Sequence, residues 1–483
     1  MDSDAIDLIK KIEENYKKYC FLKEKALRQT SLSKKLSAFK VAVHFAVYNV
    51  IGRFSDHEIE KQLCEISQKI STSSFEFKKD AVLHVMTKCY ETGGHTRVVE
   101  NWIKASPSPE SHSLYLIDQG KTAVPTWLAK AIFSTKGEII HSEKNREDLV
   151  KGQNLREIAS QYQYVVLHTH MYDLVPILAF GTKDFKRPII FYNHAEHMFW
   201  LGVSISDVVV DMNEAAQKFS QKYRGIQKSQ SKIVKIPFHC KTSKISRSTT
   251  RHELGIQEHK NLFLGIGNSY RFKPYVDMDY PSMVAEILSL DLNNVYIIMG
   301  TDGDEMYWEK VRREFPNDRL FFTGVVKDKD IFTSIIKASD CYIEVFPFGS
   351  ETSSFEAAMN VAHAPLILDR PINRSSVWEE SGCLYASVKD IIDAVSSKNF
   401  SDNKCVVRNI EGNHSYKVVS KSIQEVCQTL PRLHEIHLDF ETSFYCSDYE
   451  IFLFKCIPSL QKNKSIYAKL KRSLRKRLKF FSL

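Results

Sequence analysis

Short apolar runs alternate with segments of helical periodicity between residues 81 and 346, and this alternation limits the chain to a few folds. Repeated strand–helix units are typical of parallel sheets that are covered by helices on both faces. In such sheets, ligands bind beyond the carboxyl ends of the strands. The predicted strands are residues 81–86, 113–116, 164–167, 188–192, 206–211, 232–236, 261–267, 295–299, 320–323, 341–346 and 366–368.

The clearest ligand-binding pattern lies between the last two predicted strands. A turn that ends at Gly349 leads into a helix whose first turn carries hydroxyls and an acid, namely Ser350, Glu351, Thr352, Ser353 and Ser354. The unpaired N–H groups and partial positive charge of a helix N-terminus suit phosphate. Glu356, one turn further on, can accept hydrogen bonds from both hydroxyls of a ribose. The segment predicts a nucleotide diphosphate site, although these residue types are also ordinary helix caps.

Histidines and carboxylates follow two predicted strands of the N-terminal half. Because the carboxyl ends of parallel strands meet at one edge, we expect these side chains to face one crevice. A histidine beside a carboxylate suits acid–base chemistry. The same residue types can also bind a metal ion or simply satisfy loop hydrogen bonds. The set comprises His168, His170, Asn193, His194, Glu196 and His197.

Two further loops follow predicted strands. Arg271 and Lys273 come after the strand 261–267, where they lie either beside a phosphate or in solvent. Gly93 and Gly94 form a turn after the first strand and lead into a helix at residues 96–103. This loop lacks the G-x-G-x-x-G pattern, which argues against a nicotinamide enzyme.

In this order, the motifs resemble those of GT-B glycosyltransferases, most of all the large retaining family 4 and its bacterial polysaccharide-assembly members. The resemblance covers roughly residues 80 to 430 and rests on motif order more than on any one match. Glu356 matches the second of two family glutamates that face the donor. Phe348 occupies the position of the first, and Glu351 is the nearest acid on the helix. Residues 320–326 resemble the family's strand over the base.

The resemblance implies a GT-B fold, with two Rossmann-like doubly wound domains that face a cleft. The loop of Gly94, His95 and Thr96 would lie near the donor phosphates and the acceptor. It also implies a metal-independent site without cofactor, so Asp302-Gly303-Asp304 is not expected to bind a metal. Implied donor-binding residues are Gly94, Asn268, Arg271, Lys273, Gly349, Ser350, Glu351, Thr352, Ser353 and Glu356. Implied catalytic residues are His194, Glu196 and His197, with His95, His168 and His170 on the acceptor side.

Helical spacing extends over residues 1–78, where no Gly or Pro occurs before Gly52. This N-terminal helical extension either packs on the body or mediates self-association or partner binding. The predicted domains are 79–240 (acceptor) and 241–430 (donor). They are followed by returning helices and a basic tail at 431–483.

The positive charge of the chain is concentrated at its end. The net charge is +9 from 67 basic and 58 acidic residues, and Lys462–Leu483 carries nine basic residues and no acid. The rest of the chain is neutral, which argues against a nucleic-acid-binding body. In the tail, apolar residues share one arc of a helix, which predicts an anchor on an anionic membrane surface. The alternative is a solvated, disordered basic tail or a nucleic-acid contact. These residues are Ile466, Leu470, Leu474, Leu478 and Phe481.

Cysteine usage and hydropathy indicate the compartment. The ten cysteines form no C-x-x-C pair, so we expect no disulfide framework and no zinc site. We predict no secretory signal, because the N-terminus is acidic and amphipathic. We predict no membrane span, because the longest apolar stretch is interrupted by Lys40 and His44. The prediction is a cytoplasmic protein, peripheral on the inner face of the cell membrane.

The predicted function is a hexosyltransferase-like activity on a nucleotide diphosphate sugar. The sugar would move, with retention, to a hydroxyl of a lipid-linked or growing bacterial surface polysaccharide, O-antigen or capsule. A non-catalytic nucleotide-sugar-binding or scaffold subunit is one alternative, which Phe348 at the position of the first glutamate favours. A sugar-nucleotide epimerase, which shares the fold, is the other.

Overall fold

The computed structural model describes residues 3–71, 77–91, 94–106, 110–143, 146–196, 198–240, 242–275, 277–315, 318–369, 376–431 and 433–440. The predicted basic tail, residues 441–460 of the region predicted as returning helices, and His197 lie outside these residues. The chain forms two compact units. The first extends to Pro237 and resumes at Tyr416, and the second is Phe238–Ser415.

The first unit is an α/β structure with strands and helices in alternation. Its strands are β1 (Ala81–Met86), β2 (Ser111–Leu116), β3 (Ile139–His141), β4 (Tyr164–His168), β5 (Ile189–Tyr192), β6 (Val208–Asp211) and β7 (Ser231–Ile233). Its helices are α1 (Ser3–Leu27), α2 (Leu32–Tyr48), α3 (His57–Ser67), α4 (Gly94–Ala105), α5 (Thr126–Ser134), α6 (Asp148–Ala159), α7 (Val175–Phe180) and α8 (Glu214–Arg224).

All seven strands are parallel, in the order β3-β2-β1-β4-β5-β6-β7. The strand order reverses between β1 and β4, and ligands of doubly wound sheets bind beyond the carboxyl ends of the strands at such a point. The three helices at the N-terminus belong to this unit. Tyr19, Phe39 and Phe45 are buried in one core with Val165 and Ile189 of the sheet, so the extension packs on the body.

The second unit contains a smaller parallel sheet. Its strands are β8 (Asn261–Ile266), β9 (Asn294–Met299), β10 (Leu320–Phe322), β11 (Cys341–Tyr342), β12 (Ile367–Leu368) and β13 (Leu384–Tyr385). Its helices are α9 (Arg247–Glu253), α10 (Tyr280–Leu290), α11 (Glu309–Glu314), α12 (Lys329–Ala338), α13 (Glu351–Ala358), α14 (Ser376–Glu380), α15 (Val388–Ser396) and α16 (Lys404–His414). A last helix, α17 (Tyr416–Gln428), returns to the first unit.

The order of the larger sheet here is β10-β9-β8-β11, and β12 pairs with β13. The strand order again reverses, between β8 and β11, and both strands end beside the loops that the sequence singles out. The apolar run 341–346 forms a strand only at Cys341–Tyr342, with one further bridge at Ile343. None of the described helices is both long and apolar enough to cross a membrane.

Candidate functional site

In the second unit, the predicted donor residues converge on the point where the strand order reverses. The loop that contains Asn268, Arg271 and Lys273 follows β8, and the turn at Gly349 follows β11. Chain topology therefore brings together two segments that are 75 residues or more apart in sequence. Because β8 and β11 are hydrogen-bonded neighbours, their carboxyl ends form one edge of the sheet.

Two glycines allow a close approach of backbone at this edge. Gly300 has a φ of 101°, in the region that favours glycine. A Cβ atom at Gly300 would lie 2.5 Å from the carbonyl oxygen of Gly267, which follows β8. A side chain at Gly300 would therefore push the loop after β9 away from the end of β8.

Arg271 connects the two loops. Its Nη1 donates hydrogen bonds to the carbonyl oxygens of Phe348 and Gly349, directly before α13. A guanidinium has five N–H donors, so this use leaves further donors for an anion. Lys273 is exposed, and no described residue forms an ion pair with it. Asn268 accepts a backbone hydrogen bond from Arg271, 2.9 Å long, and this bond shapes the short 3₁₀ turn.

At the hydroxyl-rich N-terminus of α13, some hydroxyl groups are buried and others are accessible to a ligand. Ser350 is the N-cap residue, and its hydroxyl contacts the hydroxyl of Ser353 at 3.2 Å. Ser354 is buried and donates a hydrogen bond of 2.6 Å to Glu344. Thr352, by contrast, is exposed. Ser350, Thr352 and Ser353 can therefore meet a ligand, whereas Ser354 serves the interior.

Glu356 has a cationic partner that the sequence does not reveal. Lys329, at the start of α12, places its Nζ 2.5 and 2.6 Å from the two carboxylate oxygens of Glu356. The Glu356 side chain is 12% exposed, and that of Lys329 is 54% exposed. A mostly buried carboxylate is thus neutralised by a cation that itself stays in contact with solvent. Only the tertiary fold brings these two residues together.

The described residues contain no cluster of three or more ligand-type side chains that could hold a metal ion. The Asp302-Gly303-Asp304 segment lies after β9, and Asp304 forms an ion pair with Arg312 at 3.1 Å. Both aspartates are exposed.

In the first unit, four histidines line up through the sheet. Three of them lie on neighbouring strands. His84 lies on β1, His112 of β2 pairs with Val82 of β1, and His168 of β4 pairs with Met86 of β1. Alternate residues of a strand point to the same face, so all three imidazoles lie on one face. His194, two residues after the end of β5, extends the row beyond the carboxyl ends. We call this row the imidazole chain: His112, His84, His168 and His194.

Each imidazole of the chain is hydrogen-bonded to the next. The nitrogen–nitrogen distances are 3.0 Å (His112 Nδ1 to His84 Nε2), 3.2 Å (His84 Nδ1 to His168 Nε2) and 3.0 Å (His168 Nδ1 to His194 Nε2). Burial, which disfavours imidazolium, lowers the pKa of each ring, to about 4 for His112. The inner three rings are fully buried and His194 is half-buried, so only His194 opens towards a ligand.

Other predicted acceptor-side residues surround the open end of the chain. His95 of α4 hydrogen-bonds through Nε2 to the carbonyl oxygen of His168 at 2.9 Å, and its ring lies 4.4 Å from that of His194. His170 contacts the hydroxyl of Tyr172 at 2.9 Å. Gly94 opens α4, and a Cβ there would meet no atom within 4 Å. His95, His168, His170 and His194 therefore do form one cluster.

The N-terminal helices also contribute to this cluster. His44 of α2 stacks on Tyr172 with ring centroids 4.0 Å apart, and Tyr48 stacks on His44 at 5.8 Å. Burial lowers the pKa of His44 to about 4. Helical periodicity alone did not single out either residue.

Glu196 has the properties of a carboxyl group that can carry a proton near neutral pH. Burial, reinforced by the negative charge of Asp211, raises its pKa to about 7. No described residue hydrogen-bonds to its Oε2, which is buried. Arg224 holds the loop by donating to the carbonyl oxygens of Glu196 and Met198, at 2.6 and 2.7 Å. Sequence reasoning missed Asp211 and Arg224, which lie on later elements.

Comparisons with known proteins support the fold. No family model and no curated protein matches the chain. Among solved structures, it is similar to Anabaena HepE in complex with UDP, with 14% identity, a TM-score of 0.53, and coverage of 72% of this chain and 100% of HepE. It is also similar to a glycosyltransferase from Rickettsia africae, with 11% identity, a TM-score of 0.54, and coverage of 72% and 98%. The chain has the GT-B fold that the sequence predicts.

Proposed function

We propose that this chain is a glycosyltransferase that moves a sugar from a nucleotide diphosphate sugar to an acceptor hydroxyl. Three features lie together where the strand order of the second unit reverses: the exposed Lys273, the hydroxyl-rich N-terminus of α13, and the mostly buried Glu356. This convergence is the observation that carries the proposal. The fold likeness to HepE, whose structure contains UDP, supports the same reading.

The chemistry follows from the charge that develops when the sugar leaves. The departing diphosphate gains negative charge, and donors held in place before the reaction stabilise it. Lys273, the remaining donors of Arg271 and the N-terminus of α13 supply such donors. Glu356 accepts from the ribose hydroxyls, and the ion pair with Lys329 holds its carboxylate in place. In this scheme no divalent metal is required.

On the first unit, His194 and Glu196 are the proposed acid–base residues for the acceptor. His194→Ala is expected to leave donor binding intact and to reduce transfer, and the same holds for His197→Ala. A variant that fails to fold would instead show that its histidine is structural.

The sequence resemblance supports a finer assignment, namely a lipid-linked or growing surface polysaccharide as acceptor and hexosyl transfer with retention. We also propose that the basic tail attaches to the inner face of an anionic membrane. The neutral body with nine basic residues at the end of the chain supports the membrane part.

Calorimetric titration with UDP, GDP, ADP and CDP tests the donor site. One of these is expected to bind, and Lys273→Ala should weaken its binding about tenfold to a hundredfold, as for a lost charged hydrogen bond of roughly 1.5–3 kcal/mol. Glu356→Ala should also weaken binding, through the lost ribose contact. Lys310→Ala, an exposed lysine on α11, is the matched control. Unchanged affinity in both site variants would refute the assignment of the donor site.

A further inference from the structure

The imidazole chain crosses the sheet of the first unit from its carboxyl edge to the opposite edge. At its buried end, His112 Nε2 lies 3.7 Å from Oε2 of Glu110. Glu110 is 14% exposed and accepts a hydrogen bond from the hydroxyl of Tyr164 at 3.2 Å. The chain thus connects the half-buried His194 with a carboxylate that reaches solvent on the other side.

Hydrogen bonding restricts the proton positions of the chain. Each ring-to-ring contact needs one N–H and one lone pair, and each neutral imidazole carries one N–H. If His84 carries its proton on Nε2, then His112, His168 and His194 must do so too. If it carries the proton on Nδ1, all four must carry it there. Two neutral arrangements therefore keep every hydrogen bond, and they differ by the shift of one proton at each ring.

We propose that these four histidines form a proton relay, in which a proton accepted at His194 leaves the first unit at Glu110. The relay rests on the proposed function in one respect, namely that the acceptor hydroxyl is the source of the proton. As that hydroxyl attacks the sugar, its O–H bond breaks and the proton binds Nδ1 of His194. His194 gives its Nε2 proton to His168, His168 to His84, and His84 to His112. His112 then releases its Nε2 proton towards Glu110.

The relay answers a difficulty in using His194 as a base. An isolated buried imidazole with a depressed pKa holds an extra proton poorly at neutral pH. In the relay every imidazole is neutral before and after transfer, so no charge remains in the sheet. The rings end as Nδ1–H. The reverse shift, in which Glu110 returns a proton to His112 and His194 loses its Nδ1 proton to solvent after the product has left, restores the Nε2–H arrangement for the next turnover. At the exit, burial raises the pKa of the Glu110 carboxyl to about 6, which suits it to receive a proton and return it to solvent.

An aromatic side chain packs against the open half of the chain. Tyr192 stacks on His168 with centroids 5.6 Å apart and lies 4.8 Å from His194. The contact of 3.7 Å at the exit is longer than a hydrogen bond, so the last proton transfer requires a bridging water molecule or a small rotation of the Glu110 side chain. The polar groups that face the chain from packed elements are His95 of α4, Tyr164 of β4, Tyr192 of β5, His170 after β4 and Glu110 before β2.

His84→Gln separates a relay from a purely structural network. A glutamine amide has a donor and an acceptor, so it can keep both hydrogen bonds of His84, but it cannot exchange one proton for another between its two ends. His141→Gln, on the exposed end of edge strand β3, is the matched control. We expect His84→Gln to fold, to bind the nucleoside diphosphate as the wild type does, and to lose about 10²-fold in the turnover number of transfer.

The solvent isotope effect on the turnover number gives a second readout. A relay moves several protons in one step. We therefore expect the turnover number to vary with the deuterium fraction of the solvent along a curve in the wild type and in His141→Gln, and along a straight line in His84→Gln. Wild-type turnover in a folded His84→Gln protein would overturn the relay.

Ring-nitrogen NMR of the unliganded wild-type protein tests the relay without any substrate and without relying on a variant. We expect all four imidazoles to show one common tautomer, with scalar coupling across the N–H···N bonds. A mixture of Nδ1–H and Nε2–H rings within the chain would overturn the relay even if the protein transfers sugar. If the four rings share one tautomer but the protein shows no transferase activity, the proposed function is refuted. The relay would then stand, with a proton source other than a sugar acceptor.

Discussion

Replacing Glu196 by glutamine is expected to stabilise the protein at alkaline pH and to have little effect at acidic pH. The folded state raises the pKa of this carboxyl from 4.5 to about 7 through burial and the charge of Asp211. One pKa unit corresponds to 1.36 kcal/mol, so ionising Glu196 in the folded state costs about 3 kcal/mol. Glutamine resembles the protonated carboxyl and avoids this cost.

The sign follows from proton binding in the two states. Between pH 4.5 and 7 the folded state keeps the proton that the unfolded chain has already released. Stability is therefore fully present below pH 4.5 and falls as the pH rises to 7. The gain for Glu196→Gln is expected to be about 1 kcal/mol or less at pH 5 and about 3 kcal/mol at pH 8.

Thermal unfolding followed by circular dichroism at pH 5 and pH 8 measures this difference. A gain of about 3 kcal/mol corresponds to roughly 6–12 °C in Tm for a unit of this size. Glu13→Gln, at an exposed position of α1, is the control and is expected to change Tm equally at both pH values. An equal shift for Glu196→Gln at both pH values, or a lower Tm at pH 8, would refute the reasoning.

Three further predictions concern other parts of the molecule. Folding lowers the pKa of His112 to about 4, so stability should fall as the pH decreases from 6.5 towards 4, and His112→Gln should reduce this loss in urea melts. Lys329→Met should lower both Tm and nucleotide affinity by leaving Glu356 unpaired, whereas Lys329→Arg should restore them. Truncation after Leu460 should release the protein from anionic vesicles in a sedimentation assay; equal partitioning at moderate salt would contradict the anchor.

Much of the fold was predictable from local sequence. The buried strands β1, β4, β8 and β9 are mainly apolar runs, and the structure places them within one or two residues of the prediction. The strand β3 was missed because it is three residues long and only partly buried, so its sequence lacks a strong apolar pattern. The boundary predicted at residue 430 differs from the end of the second unit at Ser415, because α17 packs its apolar face on α4 of the first unit.

The candidate site was predictable only where its residues follow strand ends. The loop at His194, the turn at Gly349 and the start of α13 fall there, and the structure brings each to the expected edge of its sheet. His84 and His112 lie inside strands and resemble ordinary core positions. Their alignment depends on strand register, which a single sequence does not supply. The pairing of Lys329 with Glu356 likewise depends on helix packing.

The release of nucleoside diphosphate from nucleotide sugars by the purified protein is the most direct test of the central claim. Incubation with UDP-, GDP-, ADP- and CDP-sugars in the presence of EDTA is expected to show slow release from one donor, because a transferase hydrolyses its donor when no acceptor is bound. Release should be reduced in Lys273→Ala and unchanged in the control Lys310→Ala. Tight binding of a donor without any release would contradict the transferase account and favour a nucleotide-sugar-binding subunit.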